Sequence, residues 1–240
     1  MLAVSDCLKY ATALRETDRC PRTLKLAFNE LKDEGAIIIS KFLSEFPSLT
    51  CLDLGTKSYN RNSRLLFVHS FPSPLIRKDR NQSNQCNYLV GFNDIGDAGV
   101  EALARSLEDN STLQILHLSG NAVTANGLRF LSKALEVNTT LVSLYLSGNS
   151  GSTTGACALA QSLHTNVSLQ VLCLNGNNVQ EQGALYIGEM LKINRALTHL
   201  NLVIPRTALC LCFLMVSLNH LMVSRLSSHT SETFSPDIYS

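Results

Sequence analysis

The sequence predicts an α/β solenoid, with parallel strands on a concave face and helices on a convex one, and three observations carry that reading. Leucine pairs of the form Leu-x-Leu recur at a constant interval of 28 residues: Leu116/Leu118, Leu144/Leu146, Leu172/Leu174 and Leu200/Leu202. Another leucine (Leu113, Leu141, Leu169, Leu197) stands three residues before each pair, and the first three pairs lead, three residues on, to Asn121, Asn149 and Asn177. Within each unit the apolar period then changes from two to about 3.6, the mark of a strand followed by a helix. One such unit cannot cover its own apolar face, so a core forms only when at least about three of them stack.

The elements follow in order. Residues 1–20 carry a helix-like stretch over 2–15 that reads as a cap or the second half of a truncated repeat. The first unit, 21–48, contains Leu24/Leu26 and opens on Pro21 where later units have leucine, so local loosening is expected there. The second contains Leu52/Leu54, which lies 64 residues before Leu116/Leu118, one repeat interval plus 36. Cutting out Thr56–Gly91 rejoins 49–55 to 92–112, restores the frame and puts Asn93 in the asparagine column. Units 113–140, 141–168 and 169–196 are regular, and a sixth begins at Leu197 and stops matching after Leu202. After the asparagine each full unit has a glycine (Gly35, Gly99, Gly127, Gly155, Gly183) and then an amphipathic run such as Leu103 with Leu107 or Leu131 with Leu135. Unit four reads Asn149-Ser-Gly151-Ser where its neighbours place Ile95, Val123 and Val179, which predicts a less well anchored turn.

Two asparagine columns run through the stack. The first, Asn29, Asn93, Asn121, Asn149 and Asn177, sits where the chain leaves the strand, and its amides are expected to pair with backbone groups and form a ladder. The second, Asn110, Asn138, Asn166 and Asn194, lies at the helix end. Three of its members fit the glycosylation pattern Asn-x-Ser/Thr, but Asn194 keeps the column without the pattern, so helix capping through the left-handed conformation is the expectation.

Composition excludes several function classes. Twenty Lys and Arg against 19 Asp and Glu give a formal charge of +1, with no field to attract nucleic acid or an anionic membrane. The eight cysteines are scattered, with no Cys-x-x-Cys pair and no His spacing suited to zinc, and read as reduced thiols of a cytoplasmic protein. Charged residues throughout 1–20 leave no secretory signal, and no phosphate-loop motif occurs. Neither a cofactor nor a small-molecule substrate is implied. The inserted 56–91 holds six basic residues against one acid, leaving the rest of the chain at −4. It reads as a mobile basic loop, either a partner- or anion-binding flap or, the favoured reading because its removal heals the frame, retained non-native sequence. The tail, 203–240, includes an apolar run over 207–224 that approaches the length of a membrane span, but Asn219 and His220 weaken it. A cap over the last repeat or non-native sequence are the other readings.

The segments Leu113-Gln-Ile-Leu-His-Leu-Ser-Gly-Asn121 and Leu169-Gln-Val-Leu-Cys-Leu-Asn-Gly-Asn177 resemble the leucine-rich repeat of the ribonuclease-inhibitor type, over 21–55 and 92–202. That subclass also forms the sensing end of nucleotide-binding immune receptors and the body of the Ran GTPase-activating protein. The resemblance implies a horseshoe solenoid and a non-catalytic protein-interaction scaffold, in signalling or immune-type regulation. The alternative it implies is a GTPase activator, though no residue takes that role by motif. Partner-binding residues are expected on the outward strand positions: Lys25, Asp53, His117, Tyr145, Cys173 and Asn201 in one row, and Thr23, Cys51, Ile115, Ser143, Val171 and His199 in the next. Tyr145 offers a large contact area, while Asp53 and Lys25 can set register electrostatically. His117 and His199 are three strands apart, about 14 Å, and in different rows, so no shared metal is expected. Cys173 has no histidine beside it to act as base, which argues against nucleophilic catalysis.

Overall fold

In a computed structural model the described residues are 21–27, 29–43, 45–55 and 93–202. The N-terminal stretch 1–20, the insertion from 56 and the tail from 203 lie outside them, and so do the readings made for those segments. Six short strands, β1 (Thr23–Lys25), β2 (Cys51–Asp53), β3 (Ile115–His117), β4 (Ser143–Tyr145), β5 (Val171–Cys173) and β6 (His199–Asn201), form one sheet in sequence order. Every neighbouring pair is parallel and pairs its Leu-x-Leu centres, Leu24 with Leu52, then Leu116, Leu144, Leu172 and Leu200. Between strands run the helices α1 (Lys32–Phe42), α2 (Asp97–Asp109), α3 (Ala125–Val137), α4 (Ser152–Leu163) and α5 (Glu181–Leu191).

The core lies between sheet and helices. Leu52, Leu54, Leu113, Leu116, Leu118, Leu144 and Leu146 on the strand side meet Val100, Leu103, Leu107, Leu128, Leu131 and Leu159 from the helices, all of them buried. Burying a leucine side chain stabilises by roughly 1.5–3 kcal/mol, and here each one packs across a coil boundary. Stacking is therefore what makes the leucines cohesive.

The strand exits are built on the first asparagine column. The Asn149 amide donates to Leu118 O at 2.9 Å in the preceding coil and to Leu146 O at 2.8 Å in its own. Its Oδ1 accepts from Asn121 N at 3.1 Å and Val123 N at 3.2 Å. Asn93, Asn121 and Asn177 repeat this bridging, and at the end of the ladder Asn29 N donates to Asn93 Oδ1 at 2.9 Å. Each side chain thus satisfies buried backbone groups of two coils, which would otherwise cost about 1–3 kcal/mol apiece. Before the asparagines, Gly120, Gly148 and Gly176 take φ of 65°, 69° and 74°, a left-handed turn that favours glycine.

The second column caps by a different route from the one expected. Asn110 and Asn138 are extended, at φ −79° and −72°, so no left-handed residue ends these helices. The side chains do the work instead. Asn166 Oδ1 accepts from Ser168 N at 3.1 Å and Leu169 N at 2.8 Å, while its Nδ2 donates to Leu135 O at 2.8 Å and Asn138 O at 3.1 Å of the preceding coil. Asn138 and Asn194 are bonded in the same way and, like Asn166, are buried. A glycan could not attach to such nitrogens without opening the stack.

The fourth turn also differs from the expectation of loosening. Gly151 occupies the apolar position of its unit, and the Leu128 side chain of the preceding coil fills the space: a Cβ on Gly151 would meet Leu128 Cδ1 at 2.3 Å. The other coils carry Ala36, Val100, Ala156 and Ala184 where the third has Leu128. The missing side chain and the oversized one are complementary, and Leu128 is fully buried.

Candidate functional site

Strand register places the candidate residues. Lys25, Asp53, His117, Tyr145, Cys173 and Asn201 are paired in one unbroken row across the sheet, and Thr23, Cys51, Ile115, Ser143, Val171 and His199 in the row beside it. Side chains alternate between faces along a strand, so the leucine centres point into the core and both rows point away from it. Lys25 and His199 are exposed, and Asp53, His117, Tyr145, Cys173 and Asn201 are partly buried by one another. Ser143 alone in these rows is buried, at 7% exposure, because its small side chain lies between the larger Ile115 and Val171 and beside Tyr145.

The middle of the face is organised by one ring pair. His117 and Tyr145 stack with centroids 4.1 Å apart and planes 5° from parallel. Burial pushes the Tyr145 hydroxyl above its ordinary range, reinforced by Cys173 and by Cys51 and opposed by a side-chain hydrogen bond with Ser143. The Cys173 thiol is pushed up to about 11 by burial. Burial likewise raises Cys51, with Asp53 adding to the rise and Lys25 opposing it. Both thiols therefore stay protonated near neutral pH, the opposite of what an activated nucleophile needs. Cys173 is flanked in register by Tyr145 and Asn201, and no imidazole adjoins it in its row. His199 Nδ1 pairs with Thr198 Oγ1 at 2.9 Å at the last strand, remote from His117 on β3. Among the described residues no group of His, Cys, Asp and Glu is arranged to hold a metal ion, and no helix is long and apolar enough to cross a membrane.

A polar device at the helix starts was not anticipated from the sequence. Asp97 Oδ1 accepts from Thr124 N at 2.8 Å and Gly127 N at 2.9 Å, so a carboxylate of one coil caps the helix of the next. Asp33 does the same for Gly96 N at 2.7 Å and Gly99 N at 2.9 Å. Negative charge at a helix N-terminus stabilises it by about 0.3–1 kcal/mol at exposed sites. The available signal was an aspartate four residues after the column asparagine in two successive units. Two members of the glycine column follow from it, since a Cβ would lie 2.8 Å from Asp33 Oδ1 on Gly99 and 2.6 Å from Asp97 Oδ1 on Gly127.

A family model described as Leucine Rich repeat matches residues 22–40, 90–104 and 109–132. The strands β1 and β3 fall in those matches, and the parallel pairing of the described strands continues to β6. The described residues form an α/β solenoid of the leucine-rich-repeat kind. Solved structures similar to this solenoid include Leiomodin-1 Actin-Binding Site 2, at 21% identity and a TM-score of 0.46, over 49% of this chain and 70% of that one. Another is the tropomodulin C-terminal domain of Caenorhabditis elegans, at 13% identity and a TM-score of 0.45, over 50% of this chain and 75% of that one. No curated protein matches the chain.

Proposed function

We propose that this leucine-rich-repeat solenoid is a non-catalytic scaffold that binds a protein partner across its strand face. One observation carries the reading: six side chains of mixed character, Lys25, Asp53, His117, Tyr145, Cys173 and Asn201, stand in a single row on a face the fold does not cover with its own described elements. A stacked, half-buried aromatic pair at its centre is the kind of rigid anchor that dominates interface energies. The raised thiols and the absence of a neighbouring base support a binding rather than a catalytic role. Cys51, Cys157 and Cys173 are free, in keeping with a cytoplasmic setting. A part in signalling or immune-type regulation is the finer form of this proposal, drawn from the repeat's resemblance alone.

The test is a quantitative pull-down with wild type, Tyr145→Ala, Asp53→Lys and a helix-side control, Arg129→Glu. The reading expects a partner whose recovery falls by about tenfold or more with the two face substitutions, as loss of an interface anchor does. It expects the helix-side control to bind normally. Equal recovery by all four proteins would reject the strand face as the site.

A further inference from the structure

The helix layer presents an unusual outer face over its last three coils. α4 packs between α3 and α5 and is the one described helix with no Asp, Glu, Lys or Arg. The helices on either side are charged in opposite order. On α3 Lys133 is followed by Glu136, and two repeat intervals later, at the equivalent positions of α5, Glu189 is followed by Lys192. All four are exposed. The large hydrophobic side chains left exposed among the described residues fall in the same coils: Val137 (59%), Val167 (79%), Tyr186 (43%) and Ile193 (59%). Val137 and Ile193 are equivalent positions, and so are the partly buried Phe130 and Tyr186.

This pattern complements itself under one rotation. A half-turn about a line along the outer side of α4 keeps each residue's height along the helices and exchanges left for right, so α3 of one copy lies on α5 of the other. Lys133 then faces Glu189 of the second copy and Glu136 faces Lys192. Phe130 meets Tyr186, Val137 meets Ile193, and each contact occurs twice. On the axis a side chain meets its own copy, where a charge would repel itself. The outward positions of α4 are Thr154, Ala158 and Gln161, which are uncharged. Two outward-curving layers touch first at their middle helix, where these side chains are short, and the longer Lys, Glu, Phe and Tyr side chains span the wider flanks. A half-turn across the helices would lay each helix on its own copy instead and separate Val137 from Ile193.

Lys133 and Glu136 have no ion-pair partner among the described residues, and Glu189 and Lys192 pair with each other at 2.7 Å. Such an exposed pair has little net worth, so the opposed charges fix alignment while the apolar contacts supply cohesion. Three helices about 18 Å long and about 10 Å apart offer about 500 Å² per copy. A pair of copies would bury about 1,000 Å², the lower end of specific interfaces, which fits a weak, reversible dimer.

We propose that two copies of this chain associate through the helix layer, about a two-fold axis running along the outer face of α4. The occupant is a second copy because the face carries its own complement, in charge order and in the placing of its exposed apolar side chains. This surface is separate from the strand face, and its use leaves the strand face of both copies open to a partner.

The experiment is sedimentation velocity on the full chain over a concentration series spanning the micromolar range. Wild type is expected to shift from monomer to dimer as concentration rises. Lys133→Glu and Glu189→Lys each set like charges against one another twice across the axis and should weaken self-association by about tenfold or more. Mixed together, the two variants should dimerise about as well as wild type, since every reversed charge then meets its opposite. Ala158→Arg, which places a charge on the axis, should abolish the dimer, and Tyr145→Ala on the strand face should leave it intact. Both reversed positions are exposed, and thermal melts verify that the variants fold. A wild type that stays monomeric throughout, single reversals without effect, or a mixture of folded variants no tighter than either alone would each overturn the proposal. Loss of the dimer in Tyr145→Ala would do so too, by moving the contact to the strand face.

Discussion

Two coils of this solenoid break the repeat, and the stack answers them differently. In the fourth coil Gly151 removes an apolar side chain, and Leu128 from the coil before it fills the space. In the first coil Phe46 stands in the second asparagine column, three residues before Leu49 as Asn138 is before Leu141. Phe46 is buried and packs on Phe42, with ring centroids 6.2 Å apart. With no side-chain oxygen there to accept it, Leu49 N donates instead to Phe46 O at 3.0 Å, the carbonyl whose counterparts in later coils accept a hydroxyl. Thr112 Oγ1, whose counterparts Thr140 and Ser168 donate to Asn110 O and Asn138 O of the coil before, is left buried with no hydrogen-bond partner. Apolar packing is non-directional, so any side chain of suitable volume repairs a hole. A hydrogen bond needs a particular atom in a particular place, and a neighbouring coil cannot supply it from another position.

The largest expected effect tests the apolar repair. Leu128→Ala should destabilise the protein by about 2–5 kcal/mol, the range for emptying a buried leucine site, as measured by denaturant unfolding. Gly151→Ala should be destabilising alone, because its Cβ meets Leu128 Cδ1, yet its backbone at φ −63° and ψ −26° accepts any L residue. The double variant should then lose clearly less than the sum of the single losses, a coupling of about 0.5–3 kcal/mol. Additive losses would show that the two positions do not share one space.

The directional half is broken most severely at Asn166. Asn166→Ala removes bonds from Nδ2 to Leu135 O and Asn138 O and to Oδ1 from Ser168 N and Leu169 N, in a residue only 5% exposed. With orphaned buried groups costing about 1–3 kcal/mol each, a loss on the order of 3 kcal/mol is expected, with hydrogen exchange rising at Ser168 and Leu169 amides first. A loss under about 0.5 kcal/mol, typical of a surface substitution, would mean that water replaces the side chain and that the column is dispensable. A finer comparison sets Thr112→Val against Thr140→Val. Removing the orphaned hydroxyl of Thr112 should stabilise slightly, whereas Thr140→Val breaks the 3.1 Å bond to Asn110 O and should cost about 1 kcal/mol. The same sign for both would erase the distinction between the first coil and its successors.

These contrasts also show what the sequence made legible. The strands could be placed because Leu24, Leu52, Leu116, Leu144, Leu172 and Leu200 share one frame once the inserted segment is removed, and a parallel stack allows only one register for such a frame. The outward rows followed from the alternation of side chains along a strand. What escaped was contact between coils. The Leu128–Gly151 exchange, the Asp33 and Asp97 caps and the bridging amides of Asn138 and Asn166 each join residues about 23 to 66 positions apart, beyond the reach of periodicity within one unit. The second column was assigned to the helix ends correctly, but the geometry expected there was backbone conformation, and a side chain reaching across the coil boundary supplies it instead. The His117–Tyr145 stack was likewise hidden, since register makes the rings neighbours and only the side-chain torsions lay them flat.

A pH-dependent effect falls on the strand face itself and follows from the buried thiol. Cys173 is raised from 9.0 to about 11 by burial in the folded protein. Below pH 9.0 the thiol is neutral in both folded and unfolded chains, and its contribution to stability is fully present. Between 9.0 and about 11 the unfolded chain gives up the proton while the folded chain keeps it, so alkaline pH stabilises the unfolded state and the contribution is lost. The melting temperature of wild type should therefore fall more steeply across that interval than that of Cys173→Ala, whose packing defect lowers stability without adding a titration. Parallel pH profiles for the two proteins would mean that the thiol is already solvated, and with it the apolar centre of the face on which a partner is expected to sit.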